Sequence, residues 1–575
     1  MTTLVPKFEQ PYTGAINRPI NQKLQEVVSC FDFGALGDGS GALVGSVATG
    51  ASWNVWPSFI NGSNYLQKPG QDYGDAAYLA ANPPFTANDT WDFVGIQLAI
   101  WTQQDVHIPL GTYVLNRSIR IENTFQNIYG DHWLDSKITM LNRDTFPAIN
   151  ATAGKPLFYY YRMGLAGAQL YNIGFSTTYT TAFDGDAATV PANFATATSC
   201  IAFNDCDTLF VENVFCSGTG EMGLYLYDYS TISLVNFTSE YYSAHIMMTD
   251  NCIINITDST IYNTWGNALT SFNTAGVMMI GPNNVCTINN SYFYEFYYGG
   301  IYSTANTNTI KVYGSQFTNT STSATPGTGR ANQVLNLTCG TCDIQENHFY
   351  FGNYGFAPIQ LTPSYPSIVA NNYIGSSEAV TWGALNISGS EHLISNNIFA
   401  LTQVGSPSAG GNIVYSQGTA HYNTNSSKVL FSNNVLQNQK LNQIALNGVL
   451  SNNTGTETFG TINLTSGFTS GTAQTLVAPG TLASGSYLID FSIGAGSFPY
   501  IVSASGIANV NFTLSSSQGN GLAIPLAQTN FENVADTISI NPTPGTNITN
   551  GFVWTPNFTY SGTDAVLTYK IIKMA

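Results

Sequence analysis

A short segment recurs along the middle of the chain. Each copy has one or two β-favouring apolar residues, a small polar residue, and usually an apolar residue two positions later. Successive copies are mostly 23 to 25 residues apart, with some longer intervals. This period, with its strand-like alternation, predicts a solenoid of short strands whose loops take up the insertions. Aligned on the small polar residue, the register positions are Asn213, Asn236, Ser259, Ser291, Ser315, Asn347, Asn372, Asn397 and Asn434.

The repeat predicts an all-β fold, a parallel β-helix with apolar stacks inside and functional residues on its loops or on one outer face. Asn and Ser stacked at one bend of each coil can satisfy the backbone groups of the turns. After about Gly455 the register ends, and alternating residues between Gly and Pro turns predict an antiparallel β-sandwich. We expect residues 126–454 to form a catalytic β-helix domain and residues 455–575 a sandwich for trimerisation or carbohydrate binding.

Charged residues are scarce in the chain and mostly acidic. Its 575 residues include 16 Lys or Arg and 33 Asp or Glu, a net charge of −17. This balance argues against nucleic acid as a partner. No stretch of the sequence has the apolar length of a membrane span, so we expect no membrane insertion. The start "MTTLVPKFEQ" lacks the apolar core of a signal peptide. The eight Cys have no zinc spacing, so we expect buried thiols, no metal and no cofactor.

Three motifs near the N-terminus resemble the start of the pectate-lyase-like right-handed β-helix superfamily. They are Asp32-Phe-Gly-Ala-Leu-Gly-Asp-Gly39, "NDTWDFVGIQLAI" at 88–100 and "VHIPLGTYVLNRSIRI" at 106–121. The glycines permit positive φ at a tight turn, and Ile96 and Ile100 are expected to plug the end of the β-helix. These motifs therefore indicate the fold and say nothing about the reaction. An inserted loop separates the first two, so residues 31–125 are expected to form a cap of the β-helix.

The stretch "VPKFEQPYTGAINRPINQKLQEVVS" resembles the N-terminal adaptor of podovirus tailspikes. Together with the three motifs, it implies a bacteriophage tailspike, a homotrimeric depolymerase of bacterial surface polysaccharide. The resemblance implies a virion location, attachment to the phage tail or to another tail fibre through residues 1–30, and synthesis in the host cytoplasm.

The charge distribution bears on the reaction. From Met163 to Ile310 there is no Lys or Arg, yet there are eleven carboxylates. A lyase acting on a uronate needs a cation near the substrate carboxylate, whereas glycoside hydrolysis needs only two carboxylates at a suitable separation. Hydrolysis of a capsular or O-antigen polysaccharide is the leading hypothesis. The alternatives are a polysaccharide lyase acting by β-elimination, in which calcium held by carboxylates could replace the cation, and a non-catalytic glycan-binding tail fibre.

Carboxylates and aromatic residues recur together after the register position. Glu240 and Glu295 stand four residues after it, and at ~4.8 Å per coil they would be roughly 9–10 Å apart, near the upper limit for an inverting pair. Rings beside carboxylates suit sugars, whose C–H faces pack on them. We predict that Glu240 and Glu295 are catalytic. The predicted substrate-binding residues are Asn263, Tyr242, Trp265, Tyr297 and His245. The alternative is that these residues are structural, in the core or at a trimer interface.

Other acidic residues receive secondary roles. Glu221, on the coil before Glu240, is a candidate catalytic partner that would permit a retaining mechanism. Asp343 and Glu346 are reserve candidates, and a carboxylate of a neighbouring chain is a further alternative. Glu212 and Asp258 are interpreted as exposed residues at bends. A column of turn residues is interpreted as structural and contains Asp205, Asp228, Asn251 and Asn283.

Overall fold

The computed structural model describes backbone and side chains over most of the repeat region. The ranges are 27–44, 88–142 (without 103 and 123–125), 145–161 (without 151), 168–177, 197–218, 222–262 (without 243), 275–296, 299–318, 334–352, 359–376, 384–388, 391–401 and 429–437. For further short strands only the backbone is described. These comprise residues 7–8, 18–19, 319, 379–380, 403–404, 414–415, 438–440, 444–445, 448–451, 454–456, 458–464, 474–477, 485–495, 510–514, 522–525, 552–554 and 565–573.

The chain divides into two units, Met1–Asn308 and Thr309–Ala575. In the first unit, successive strands pass in turn through three parallel sheets, A, B and C. Sheet A contains Val27–Ser29, Asp105–Ile108, Ile128–Gly130, Gln169–Tyr171, Leu209–Glu212, Thr231–Val235, Ile253–Thr257 and Val285–Asn289. Sheet B contains Gly111–Leu115, Ser136–Met140, Gly174–Thr177, Phe215–Gly218, Thr238–Glu240, Thr260–Tyr262 and Tyr292–Tyr294. Sheet C contains Ile119–Glu122, Lys155–Tyr161, Thr198–Asn204, Met222–Tyr227, Ala244–Met248, Ala275–Met279 and Gly299–Ser303. An antiparallel pair, Lys7–Phe8 with Arg18–Pro19, precedes them.

Apolar side chains form vertical stacks inside the coils. On sheet A, Val211, Leu234 and Ile256 are paired in register and have no exposed surface. On sheet C, Ile246 and Val277 form an equivalent fully buried pair. Each such side chain contributes roughly 1.5–3 kcal/mol by leaving water. The parallel crossovers make this a right-handed β-helix, so the predicted fold class is confirmed.

Single left-handed residues form the corners of the coils. Between sheets A and B, residues with φ between 45° and 59° occupy the corner, namely Asn172, Asn213, Asn236, Asp258 and Asn290. Between sheets C and A, the predicted structural column of turn residues is confirmed, because all four members have φ between 50° and 59°. They are Asp205, Asp228, Asn251 and Asn283. Asn tolerates this backbone region better than most residues because its short amide can bond locally.

The predicted alignment of the repeat is wrong by one residue in the first two copies. Thr238 pairs with Thr260, so the corner residue Asn236 corresponds to Asp258. Ser259 belongs to the next, inward-facing column, where its Oγ accepts a hydrogen bond from Phe237 N at 3.1 Å. Both columns are rich in small polar residues, which is why the sequence pattern merged them.

The predicted cap motifs form one bonded unit at the start of the β-helix. The helix Trp91–Trp101 follows Thr90, whose side chain accepts from Phe93 N at 3.2 Å. Asp92 is buried and accepts backbone N–H groups from Leu36, Gly37 and Val114 at 2.7–2.9 Å, which joins the turn, the helix and sheet B. A Cβ at Gly95 would lie 2.4 Å from Ala35 N, so only glycine permits this packing. Ile96 and Ile100 are buried, as expected of plug residues.

The turn itself begins with the 3-10 helix Cys30–Phe33. Asp32 Oδ2 accepts from Ser29 N at 2.9 Å, and Gly34 closes the helix with φ 92°. The Asp-Phe-Gly run is therefore a capped turn, and its aspartate has a structural role.

The second unit also has three parallel sheets. The first of them contains Thr309–Tyr313, Thr341–Gln345, Ile368–Ala370, Leu393–Ser395, Val429–Ser432 and Gly448–Ser451. The second contains Gln316–Asn319, His348–Phe351, Tyr373–Ser376, Ile398–Ala400, Val435–Lys440 and Thr454–Thr456. The third contains Leu335–Cys339, Ile359–Pro363, Leu385–Ile387, Val414–Tyr415 and Ile444–Ala445. A small parallel pair joins Ala379–Val380 to Gln403–Val404. An antiparallel sheet follows, in the order Thr458–Leu464, Ala565–Lys573, Gly485–Ala495, Val510–Leu514 and Leu522–Pro525, with a separate pair Gln474–Val477 and Phe552–Trp554.

An asparagine ladder runs through the interior of the second unit. Asn347, Asn372, Asn397 and Asn434 are almost fully buried. The backbone N–H of each of the first three donates to the Oδ1 of the next at 2.9 Å. The side-chain amides donate along the same line at 2.9–3.1 Å. The register positions predicted for this part of the chain therefore correspond to one structural column.

Two further sequence expectations concern thiols and membrane spans. All eight Cys are free and buried, as predicted. Within the ranges given above, no helix combines the length and apolar character that crossing a bilayer requires.

Candidate functional site

Three neighbouring strands of sheet B carry an acidic and aromatic surface. Thr238–Glu240, Thr260–Tyr262 and Tyr292–Tyr294 are paired in parallel and in register. Their middle residues, Ser239, Ile261 and Phe293, have no exposed surface. Because side chains alternate between the two faces of a strand, the flanking residues face outwards. They are partly exposed, and this outer surface is the candidate site.

Glu240 lies in direct register with two tyrosines. Its strand partners are Tyr262 and, one strand further, Tyr294. The Tyr262 hydroxyl donates a short hydrogen bond to Glu240 Oε2. Burial raises the pKa of Tyr262, and the hydrogen bond and charge of Glu240 raise it further. Tyr262 therefore stays protonated at neutral pH and acts as a donor to the carboxylate.

More rings complete this surface. Tyr241 has φ 63° at the corner after Glu240 and is 39% exposed, and its ring meets Tyr262 edge-on with centroids 6.5 Å apart. The rings of Tyr292 and Tyr294 are stacked at 5.8 Å. Glu295 follows Tyr294 at the equivalent corner, with φ 51° and partial exposure. We call these residues the acidic tyrosine patch: Glu240, Tyr241, Tyr262, Tyr292, Tyr294 and Glu295.

The two predicted catalytic glutamates thus belong to one edge of sheet B. Glu240 and Tyr294 are two strands apart, which corresponds to roughly 10 Å. Glu295 is the residue after Tyr294, so it is offset by one position from the predicted column. Neither carboxylate is sealed in the interior.

Two predicted substrate-binding residues need correction because they lie inside the β-helix. Tyr242 has no exposed surface, and its hydroxyl donates to Ser217 O at 2.8 Å and contacts Cys200 Sγ at 3.0 Å. His245 is also fully buried, with Nδ1 2.7 Å from Ser239 Oγ. The bend at Tyr241 turns the chain inwards, so Tyr242 is on the opposite side from Glu240.

The remaining predicted residues fall elsewhere. Glu221, Asn263, Trp265 and Tyr297 lie outside the described residues. Asp343 and Glu346 belong to the second unit; Asp343 accepts from Tyr313 Oη at 2.7 Å and from Gln345 Nε2 at 2.6 Å, and Glu346 is an exposed corner residue with φ 61°. Glu212 and Asp258 are exposed, as predicted.

The tyrosines of the patch were not predicted from the sequence. Tyr292 and Tyr294 are two residues apart in "SYFYEF", a spacing that puts both on one face of a strand. This alternation was the available signal, and the shifted alignment of the repeat concealed its relation to Glu240.

Comparisons with known proteins address the fold. No protein-family model matches the chain, and no curated protein matches it. Among solved structures, the tailspike of Pseudomonas phage phi297 is similar, with a TM-score of 0.50 and 11% identity, over 96% of this chain and 99% of that chain. The tailspike protein of Pseudomonas phage LKA1 has a TM-score of 0.46 and 12% identity, over 95% and 100%. DFA-IIIase from Arthrobacter chlorophenolicus A6, without its lid and in complex with GF2, has a TM-score of 0.47 and 12% identity. The match covers 75% of this chain and 99% of that chain.

The likeness to the phi297 tailspike confirms the predicted resemblance at the level of fold. This chain has a parallel β-helix of the kind found in a phage tailspike. Identity this low does not carry a reaction or a substrate from one protein to another.

Proposed function

We propose that the protein is a phage tailspike depolymerase that hydrolyses glycosidic bonds in a bacterial capsular or O-antigen polysaccharide. The acidic tyrosine patch is its active surface. One observation supports this function above the others: Glu240 is outward-facing, hydrogen-bonded to Tyr262 and in register with Tyr294, while Glu295 lies at the same edge of the sheet. Glycoside hydrolysis requires two carboxyl groups, and neighbouring aromatic rings can bind the sugar.

The two glutamates take different roles. Tyr262 donates a hydrogen bond to Glu240, and this bond orients Glu240 as the base that activates water. Glu295 then protonates the leaving glycosidic oxygen. Glu295 follows Tyr294, whose backbone is two strands, or roughly 10 Å, from Glu240. This spacing is close to the ~6.5–9.5 Å between the carboxyl groups of inverting enzymes, which leaves room for that water.

The test uses the Glu240→Gln and Glu295→Gln variants of the full chain. Each should lower the rate of depolymerisation at least ~100-fold, because each removes one proton-transfer group. Rates are measured as new reducing ends and as loss of viscosity of purified capsular and O-antigen polysaccharides. Glu212→Gln is the matched control, since Glu212 is an exposed glutamate on sheet A of the same unit.

Three results would contradict parts of this function. Full activity in both glutamine variants would show that Glu240 and Glu295 are not the catalytic residues. Products with a new near-ultraviolet absorption would indicate a β-elimination lyase. Binding of a polysaccharide without any fall in viscosity would indicate a non-catalytic tail fibre.

A further inference from the structure

We infer that the sugar residues held at the acidic tyrosine patch are uncharged, as in neutral hexoses and N-acetylhexosamines, and that the patch rejects uronates and other anionic sugars. This inference rests on the proposed function, and it names the class of substrate. It follows from the charges around the patch and from the hydrogen bonds that its side chains can make.

No basic side chain lies near the patch in sequence. Between Arg162 and Lys311 the chain has no Lys or Arg, so the coils that carry the patch contain none in their own strands or loops. Among the described residues of the first unit, Lys137 is the basic residue on the outer face of sheet B. It lies three strands from Thr238 along the register Lys137, Gly174, Phe215, Thr238. That separation is roughly 14 Å, well beyond the Debye length of about 8 Å at physiological ionic strength.

The described carboxylates near the patch reinforce this asymmetry. Glu240, the proposed base, is part of the patch, and Asp258 is exposed at the corner immediately before Thr260. An anionic sugar placed on the patch would face these charges in a partly desolvated setting, and the coils that carry the patch have no Lys or Arg to compensate them. Like charges at such distances weaken binding by about tenfold or more.

The hydrogen-bonding capacity of the patch fits neutral sugars. Ionised carboxylates only accept hydrogen bonds, so they require donors from the ligand. Sugar hydroxyls and the N–H of an N-acetyl group are such donors, whereas a uronate carboxylate has none to offer. The tyrosine rings provide apolar surface for the C–H faces of pyranoses. A neutral glycan therefore offers hydrogen-bond donors to the carboxylates and C–H faces to the tyrosine rings of the patch.

The first experiment identifies which polymers the full-length protein cuts. A panel of purified O-antigen and capsular polysaccharides, half with neutral repeats and half with uronate-containing repeats, is incubated with the protein. We expect cleavage among the neutral polymers only. Cleavage of a uronate polymer that Glu240→Gln abolishes would overturn the inference and leave the proposed function standing. A protein that neither binds nor cuts any of the polymers would overturn both.

The second experiment measures the role of charge on the polymer that is cut. We expect its KM to change less than about twofold between roughly 0.05 and 0.5 M salt, since no ionic contact is made. Thr260→Lys adds a cation on the outer column beside the patch, and Thr231→Lys on sheet A is the matched control, because both threonines are partly buried strand residues. Equal KM values for the two variants are expected. A KM about tenfold lower for Thr260→Lys alone would show an anionic substrate and overturn the inference.

Discussion

His245 is a histidine whose ring is completely enclosed by the β-helix. Its Nδ1 contacts Ser239 Oγ at 2.7 Å, and its Nε2 has no hydrogen-bond partner among the described residues. Burial lowers its pKa from 6.5 to about 3, because a charged ring would lose its hydration without gaining a counter-charge. In the folded protein the ring is therefore neutral at physiological pH.

This burial predicts a loss of stability in acid. Between pH 6.5 and 3 the unfolded chain binds a proton at His245 that the folded chain does not, so stability is full above pH 6.5 and falls as the pH decreases. The expected loss from this group is about 2 kcal/mol on going from pH 7 to pH 5. The His245→Asn variant should lose correspondingly less over that interval.

The measurement is the urea denaturation midpoint of both proteins at the two pH values. His132→Asn is the control, because the His132 side chain is 48% exposed. An unchanged pH dependence in His245→Asn would show that the ring is protonated in the folded protein.

At the scale of the element, the coils depend on ladders of polar side chains as well as on apolar stacks. In the second unit Asn372 accepts from the backbone and side-chain amides of Asn347, and donates to Ile344 O and to Asn397 Oδ1, all at 2.9–3.1 Å. One side chain thus joins successive coils through buried hydrogen bonds. Such groups are costly to leave unpaired in an interior.

We predict that Asn372→Ala lowers the free energy of unfolding by at least about 2 kcal/mol, because several buried donors and acceptors lose their partner. The neighbouring variant Asn371→Gly should stay within about 1 kcal/mol of the parent, since Asn371 is exposed and has φ 59°, which glycine adopts readily. Urea denaturation of the two variants measures both values. Equal losses of unfolding free energy in the two variants would show that the buried ladder residue contributes no more stability than the exposed corner residue.

At the scale of the whole molecule, the chain has a parallel β-helix of the kind found in a phage tailspike. The resemblance of its N-terminal motifs implies an assembly of three chains. We propose that the protein is a homotrimer attached to the phage tail, or to another tail fibre, through its N-terminus. The net charge of −17 per chain disfavours binding to anionic surfaces.

The expected mass in solution is three times 61.8 kDa, or about 185 kDa. Size-exclusion chromatography with light scattering measures it, at two protein concentrations that differ by about tenfold, because an assembly held only weakly would dissociate on dilution. A single-chain mass at both concentrations would contradict the trimer.

Much of the architecture could be predicted from the sequence because its causes are local. The two-residue alternation, the repeat of 23 to 25 residues and the capped glycine turn each depend on neighbours along the chain. The same pattern placed Glu240 and Glu295 at one edge of the sheet, two coils apart. The antiparallel character of the last strands was predicted on similar grounds.

Only the tertiary structure decided which side chains share a face with Glu240. The repeat pattern predicted Tyr242, two residues after Glu240, as part of the same outward-facing groove. Tyr241 instead takes φ 63°, ends the strand and directs Tyr242 into the core, while Tyr262 and Tyr294 reach Glu240 from other coils. Asn and Ser occupy two adjacent columns with similar chemistry, so composition alone did not separate them. Strand register is settled by contacts between coils, and those contacts join residues that are distant in sequence.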